Sequence, residues 1–271
     1  MVVLYRFVHV IPVGTSLLGN FQRDFPKRVS GWGFSNWDRW APDDRRQDLL
    51  CSRYKEVFVE LSSYLSSRGF EASAELSPLR RAFDLFGHPP DKTLIMLYST
   101  ETCNSRLAME TIAGFLRDRG YHVNEASIRG VRSSDDFEEG LVEVLDKVVR
   151  LIMDWRARGA RVFVNATPGY KAESSFLVLA SLLAGADVIY YMHESFRDIV
   201  ILPSIPIEIR REYVELIKRF SEPREQREAE EIAGTPDRLR ELVLRGIVKS
   251  DGYKYITRRW ARKLLESLGG I

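Results

Sequence analysis

From Thr93 onward the chain alternates short apolar runs with amphipathic stretches, and this alternation constrains its fold more than any other feature. Thr93–Tyr98, Tyr121–Ile128, Val162–Val164, Asp187–Met192 and Ile199–Leu202 read as strands. Between them, Ser105–Arg119, Asp135–Arg158 and Ser174–Leu183 carry helical apolar spacing. Strand-helix-strand alternation implies a mostly parallel sheet with helices on both faces, joined by right-handed crossovers. Val2–Ile11, rich in Val, Ile, Phe and Tyr, reads as a further, central strand.

The segment between that first strand and the regular alternation is less uniform. Residues 21–43 place Trp32, Trp37 and Trp40 among Gly31, Gly33, Pro26 and Pro42 and read as a long irregular connection. Arg45–Ser67 has helical spacing through Leu49, Leu50, Tyr54, Val57, Phe58, Leu61 and Leu65, and Leu79–Phe86 reads as a shorter helix ended by Pro89-Pro90. The expectation is a Rossmann-like α/β domain over residues 1–205, with about 21–90 inserted, and a second part over 206–271 that begins near Pro203 and Pro206. In that second part Ile207–Phe220 reads as a connecting helix. Thr235-Pro236 starts another helix, striped by Leu239, Leu242 and Val243 and stopped by Gly246. A hairpin over Ile247–Ile256 turns at Asp251-Gly252, and Arg258–Leu268 forms the last helix. This order resembles a small winged helix-turn-helix module whose core is completed by the helices before it.

Bulk properties exclude several classes. The chain has 45% hydrophobic and 29% charged residues, ordinary for a folded protein, and no apolar run reaches the roughly 18 residues of a membrane span. Val2–Val13 is interrupted by Arg6 and His9 and reads as a buried strand rather than a signal peptide, so a cytoplasmic location is expected. Cys51 and Cys103 fall in no metal-ligand spacing and are expected to be free thiols. The net charge of +2 is uneven: residues 235–271 carry nine Lys or Arg against four Asp or Glu, a difference of +5, leaving −3 for the rest. Abundant charge with sparse Asn and Gln follows the compositional tendency of hyperthermophile proteins.

The candidate chemistry lies in loops placed where strands hand over to helices. In open α/β sheets ligands bind beyond the carboxyl ends of the strands. Gly14-Thr15-Ser16-Leu17 follows the first strand, where two hydroxyls and backbone N–H groups face either a phosphate or simply the start of a helix as an N-cap. Asn165-Ala166-Thr167-Pro168-Gly169-Tyr170-Lys171 follows a later strand and sets an ammonium at a helix start, a position that favours anions, so Lys171 either meets an anionic ligand or is solvated. Ser99, Thr100, Glu101, Thr102 and Asn104 offer short donors and acceptors for a base or ribose, or cap the next helix. Arg129 and Arg132 suit bidentate phosphate contact or a surface loop. There is no Gly-x-Gly-x-x-Gly, no phosphate-binding Gly-x-x-x-x-Gly-Lys-Ser/Thr and no histidine metal spacing, so neither a dinucleotide cofactor nor a metal is expected. Four consecutive polar strand-end loops point to one nucleotide-sized site.

Taken together, Val13-Gly14-Thr15-Ser16-Leu17-Leu18, Leu97-Tyr98-Ser99-Thr100-Glu101-Thr102 and Asn165–Lys171 resemble the CRISPR-associated Rossmann-fold (CARF) proteins of the archaeal ring-nuclease type. The likeness covers roughly residues 1–205, matches 21–90 poorly, and is most specific at Thr167–Lys171. It implies a homodimer that binds cyclic tetra-adenylate across the dimer axis and degrades it without a metal or cofactor. By this resemblance a ribose 2′-hydroxyl attacks the adjacent phosphodiester, Ser16 orients the ribose or the scissile phosphate, and Lys171 stabilises transition-state charge. Gly14, Thr15, Leu17, Ser99, Thr100, Glu101, Thr102, Asn104, Arg129, Arg132, Thr167, Pro168, Gly169 and Tyr170 would bind the ligand. Some relatives carry a ribonuclease signature of Arg, four to six residues, then His. Arg81 to His88 and Arg117 to His122 have similar spacing but fall outside a downstream helical domain and read as chance matches. Other relatives fuse the domain to a winged helix and regulate transcription. For that alternative Arg258, Arg259, Arg262 and Lys263 are the candidate nucleic-acid contacts.

Overall fold

Six strands form one sheet in the order β3-β2-β1-β4-β5-β6. The structure, a computed structural model, describes residues 5–128, 140, 142–143, 145–168, 171–193, 198–205 and 207–269; for 171–173 it describes the backbone alone. The strands are β1 (Phe7–Pro12), β2 (Thr93–Thr100), β3 (His122–Ile128), β4 (Arg161–Asn165), β5 (Val188–His193) and β6 (Asp198–Leu202). The first five are parallel, with β1 pairing β2 through Val8↔Leu94 and Val10↔Met96 and pairing β4 through Val8↔Val162. The sheet is thus mostly parallel, as expected, and β6 runs antiparallel to β5, the chain between them being too short for a helical crossover. The order reverses at β1, so the crevice between β1 and β4 is the switch point of a Rossmann-like sheet.

Side-chain alternation divides the core into two layers. Ile11, Ile95, Leu97 and Val123 face one side, where they pack with α1 (Ser16–Asp24), α4 (Tyr54–Arg68), α5 (Leu76–Phe86) and α6 (Cys103–Arg117). Val8, Val10, Leu94, Met96, Tyr98, Val162 and Val164 face the other. There they meet a π-helical turn at Leu145–Val149, α7 (Arg150–Ala157) and α8 (Lys171–Leu183). The helix expected over Asp135–Arg158 lies partly outside the described residues; within its described part residues 140 and 142–143 are helical and the π turn follows them.

Two expectations are corrected on the first face. Residues 21–43 are not an irregular surface connection: α1 runs through Asp24, α2 spans Pro26–Gly31, and a 3-10 turn spans Trp37–Arg39. Trp32, Trp37 and Trp40 are buried with Phe21 and Phe34, and Trp37, fully buried, donates its Nε1–H to the Leu18 carbonyl at 2.8 Å. Aromatic rings this large cover an open sheet face more effectively than they cover solvent. The second correction concerns the cysteines. The stretch expected as one helix over Arg45–Ser67 breaks at Arg53 into α3 (Arg46–Ser52) and α4, and α3 lies across the start of α6. Cys51 and Cys103 are thereby brought to a Cα separation of 5.8 Å and joined in a disulfide.

Residues 211–267 form a smaller unit of α9 (Arg211–Arg219), β7 (Arg224–Glu225), α10 (Gln226–Ala233), α11 (Pro236–Leu244), β8 (Val248–Ser250), β9 (Lys254–Thr257) and α12 (Arg259–Ser267). Its strands pair antiparallel in the order β7-β9-β8. Leu216 of α9 and Phe220 just after it form the core of this unit with Ile232, Leu239, Leu242 and Val248. The last helix presents two apolar stripes. Trp260, Leu264 and Leu268 pack on the α/β unit, and Ala261 and Leu265 pack on Ile217. No helix among the described residues is long and apolar enough to cross a membrane.

Candidate functional site

Parallel pairing places the ends of β1, β2, β3 and β4 along one edge, where a cleft of about 740 Å³ opens. Gly14, Thr15 and Ser16 line it from the β1 side and Thr167 and Pro168 from the β4 side, on either side of the switch point. Val10, Tyr98, Val148 and Leu177 give it apolar walls, and Ser99, Thr100 and Thr102 reach it from the end of β2. Burial raises the Tyr98 phenol well above its ordinary range, so that side chain remains neutral and acts as wall.

The first loop is organised by a residue that its own sequence does not reveal. Glu75, immediately before α5, is fully buried. Its Oε1 accepts the Gly14 N–H at 2.9 Å and its Oε2 accepts the Ser16 hydroxyl at 2.7 Å. The Ser16 Oγ in turn accepts the Ala74 N–H at 2.9 Å. Thr15 occupies the N-cap position of α1, yet its hydroxyl makes no capping bond and donates to the Asp38 carbonyl at 2.6 Å. The Asp38 side chain is accommodated by Gly19, where a Cβ would lie 3.1 Å from its Oδ2. Thr15 therefore does not cap, and the Gly14 N–H and both hydroxyl protons are occupied within the protein.

The remaining candidates separate into several groups. Leu17 is fully buried in the core and does not line the cleft. Glu101 is exposed, absent from the cleft wall, and its N–H donates to Ile128. Asn104 borders the cleft, but its Nδ2 donates to the Trp37 carbonyl at 3.0 Å and its Oδ1 accepts from Gln47 at 3.1 Å. It fixes the Trp37 segment and α3 to the start of α6. Thr100 and Thr102 share a hydroxyl contact at 3.1 Å, and Thr167 Oγ1 accepts the Met192 N–H at 2.9 Å. Arg129, Arg132, Gly169 and Tyr170 lie outside the described residues, and Lys171 is described only as the first backbone position of α8.

Sequence reasoning missed Glu75, Asp38 and Arg39, all of which line the cleft. Glu75 did leave a signal: with Leu79, Ala82 and Phe83 it falls on one helical stripe, a carboxylate on an otherwise buried apolar face. Asp38 and Arg39 had none, being carried to the cleft by the folded Trp segment. Of the candidate nucleic-acid contacts, Lys263 pairs with Asp146 at 3.2 Å and with Glu266 at 3.5 Å, and Arg262 pairs with Glu266 at 3.2 Å. Arg258 and Arg259 flank the start of α12. His88 and His122, the chance matches to a ribonuclease signature, lie away from the cleft wall. His88 is buried against Phe7, and the His122 ring lies against Tyr5.

Residues 70–205 match the family model described as CRISPR-associated protein (Cas_APE2256). The matched region contains Glu75, Ser99–Asn104, Thr167 and Lys171, and it excludes Gly14–Ser16. Among solved structures the chain is similar to protein VC1899 from Vibrio cholerae, with 11% identity and a TM-score of 0.34 over 64% of this chain. The chain spans 60% of the length of that structure.

Proposed function

The chain belongs to the CRISPR-associated family Cas_APE2256, and on that premise we propose that it is a metal-independent ring nuclease. It binds cyclic tetra-adenylate at a homodimer interface and opens it to linear di-adenylate carrying a 2′,3′-cyclic phosphate, which switches off type III CRISPR signalling. The observation that carries this reading is the placement of Ser16 and the Thr167–Pro168 loop on opposite sides of the β1/β4 switch point, around one nucleotide-sized cleft.

In the proposed reaction the ribose 2′-oxygen forms a bond to the adjacent phosphorus and the phosphorus–O5′ bond breaks. The 2′-hydroxyl proton passes to water, and O5′ takes a proton from water. Ser16 orients the attacking ribose, and Lys171 offsets charge on the phosphorane-like transition state. Rate enhancement then rests on in-line positioning and preorganised charge. A two-fold-symmetric ring on a two-fold dimer presents equivalent scissile bonds to equivalent sites. The test is incubation of the purified protein with cyclic tetra-adenylate in EDTA, with products followed by chromatography. Linear di-adenylate from the wild type, lost in Ser16→Ala and Lys171→Ala, supports the assignment. Tight binding without turnover overturns it.

A second reading is favoured by the helix-strand-helix-helix-hairpin order of residues 211–257, which suits a winged helix. Under it, the ring is an effector of a transcription regulator that contacts DNA through the C-terminal unit. Salt-dependent retention of duplex DNA that changes when the ring is added supports this role.

A further inference from the structure

We propose that Glu75 is the positioning residue of the cleft, setting the Ser16 hydroxyl as a hydrogen-bond acceptor so that the Gly14–Ser16 loop receives a ribose 2′-hydroxyl and not a phosphate. The inference rests on the ring-nuclease reading and decides between the two roles that reading allows Ser16. A serine hydroxyl has one proton and two lone pairs. The proton is directed to Glu75 Oε2 at 2.7 Å, and one lone pair receives the Ala74 N–H at 2.9 Å. What Ser16, partly exposed on the cleft wall, retains for a ligand is a single lone pair. That lone pair accepts from a hydroxyl and repels a phosphate oxygen.

Two neighbouring donors are engaged in the same way. The Gly14 N–H is held by Glu75 Oε1 and the Thr15 proton by the Asp38 carbonyl. The Glu75 carboxylate behind the loop adds negative charge where a phosphate would otherwise sit at a helix start, and the Asp38 carboxylate on the cleft wall is paired with Arg39 at 3.8 Å. Glu75 is itself held: its main-chain oxygen accepts the Asn165 Nδ2–H at 3.1 Å, and it is the residue immediately before α5, whose N-terminal end favours a carboxylate. Phosphate charge is left to cations elsewhere on the cleft, of which Arg39 is a described one.

Glu75→Gln inverts this arrangement. With its amide oxygen on the Gly14 N–H, the amide nitrogen donates to Ser16 Oγ, fills the second lone pair, and turns the hydroxyl proton toward the cleft. Ser16 then donates and no longer accepts.

The experiment uses the full chain with cyclic tetra-adenylate and its all-2′-deoxy analogue. Binding is measured by calorimetry and ribo-ring cleavage by single-turnover kinetics, for wild type, Ser16→Ala, Glu75→Gln and the double variant. Wild type is expected to bind the ribo ring on the order of 10²-fold more tightly than the deoxy ring, the worth of two hydrogen bonds, one at each Ser16 of the dimer. Glu75→Gln is expected to lose that preference, to keep its affinity for the deoxy ring, and to cleave on the order of 10²-fold more slowly. The double variant should be no slower than Ser16→Ala alone, because Glu75 acts through Ser16. Glu75→Gln that keeps both the ribo preference and wild-type turnover overturns the assignment while the ring-nuclease reading stands. If Glu75→Gln does not fold, Ser16→Ala decides: retention of the ribo preference there overturns the assignment. Wild type that neither binds nor cleaves the ring overturns the ring-nuclease reading itself, and Glu75 falls with it.

Discussion

Asn165, the last residue of β4, donates from Nδ2 to the main-chain oxygen of Glu75 at 3.1 Å, while its Oδ1 accepts the Thr167 N–H at 3.1 Å. One fully buried amide thus ties the start of α5 to the loop after β4, the two segments that set the cleft walls. Asn165→Ala leaves a carbonyl and an N–H without these partners and is expected to lower unfolding free energy by about 2–4 kcal/mol, read from urea denaturation. Asn165→Asp keeps the acceptor for Thr167 but sets an anionic oxygen against the Glu75 carbonyl, so it should be at least as unstable as the alanine variant. A midpoint unchanged in both would show that the amide does not hold these segments together.

The Cys51–Cys103 disulfide closes a separation of 52 residues between α3 and α6. Restricting the unfolded chain over a loop of that length contributes about 2–4 kcal/mol. Cys51→Ser, or reduction in the wild type, should lower the unfolding midpoint accordingly. Cleft geometry should survive, since Gln47 also holds Asn104 through two hydrogen bonds at 3.1 Å that do not involve sulfur. Ligand affinity below the new melting transition is therefore predicted to be unchanged, and a parallel loss of stability and affinity would contradict this separation.

The parallel sheet was legible because each buried strand is short, apolar and followed by a helical stripe; Thr93–Thr100 and Arg161–Asn165 differ from the expected spans only at their ends. The loops after β1 and β4 were legible for the same reason, since strand ends locate the crevice before any side chain is considered. Their hydrogen bonding was not, because it depends on Glu75, 59 residues beyond Ser16. The Trp segment misled in the opposite direction. Its glycines and prolines suggested a connection, whereas the rings of Phe21, Trp32, Phe34, Trp37 and Trp40 join one buried cluster. Pairing of the two cysteines likewise follows from how α3 crosses α6, which no local pattern encodes.

Trp260 joins the C-terminal unit to the α/β unit: its ring lies edge-on to Phe176 of α8 with centroids 5.9 Å apart, and its Nε1–H donates to the Gly246 carbonyl at 3.1 Å. Trp260→Ala removes both contacts and should destabilise the protein by roughly 3 kcal/mol. Lys263→Ala, which removes a partly exposed pair with Asp146, should change stability by less than about 1 kcal/mol. Limited proteolysis distinguishes the two, with faster cleavage over residues 203–210 expected for Trp260→Ala only.

Two buried histidines predict how stability responds to pH. His9 Nδ1 meets the Tyr190 hydroxyl at 3.1 Å and its Nε2 meets His88 Nδ1 at 2.9 Å, with the His88 ring stacked on Phe7. Burial, followed by the neighbouring His88, holds His9 well below the ordinary value of 6.5. Burial, followed by the Arg161 charge, lowers His88 from 6.5 to about 4. Both folded-state values lie below the unfolded one, so the unfolded chain takes up protons first as pH falls. The stabilisation is present in full above pH 6.5 and declines as pH drops through that value, until about pH 4 for His88. The slope should approach about 1.4 kcal/mol per pH unit for each histidine. Urea unfolding at intervals between pH 7.5 and 5, above the range in which carboxylates dominate, measures it. A slope near two protons is the expected result; a flat profile would mean that the unfolded state keeps these rings as well shielded as the folded one does.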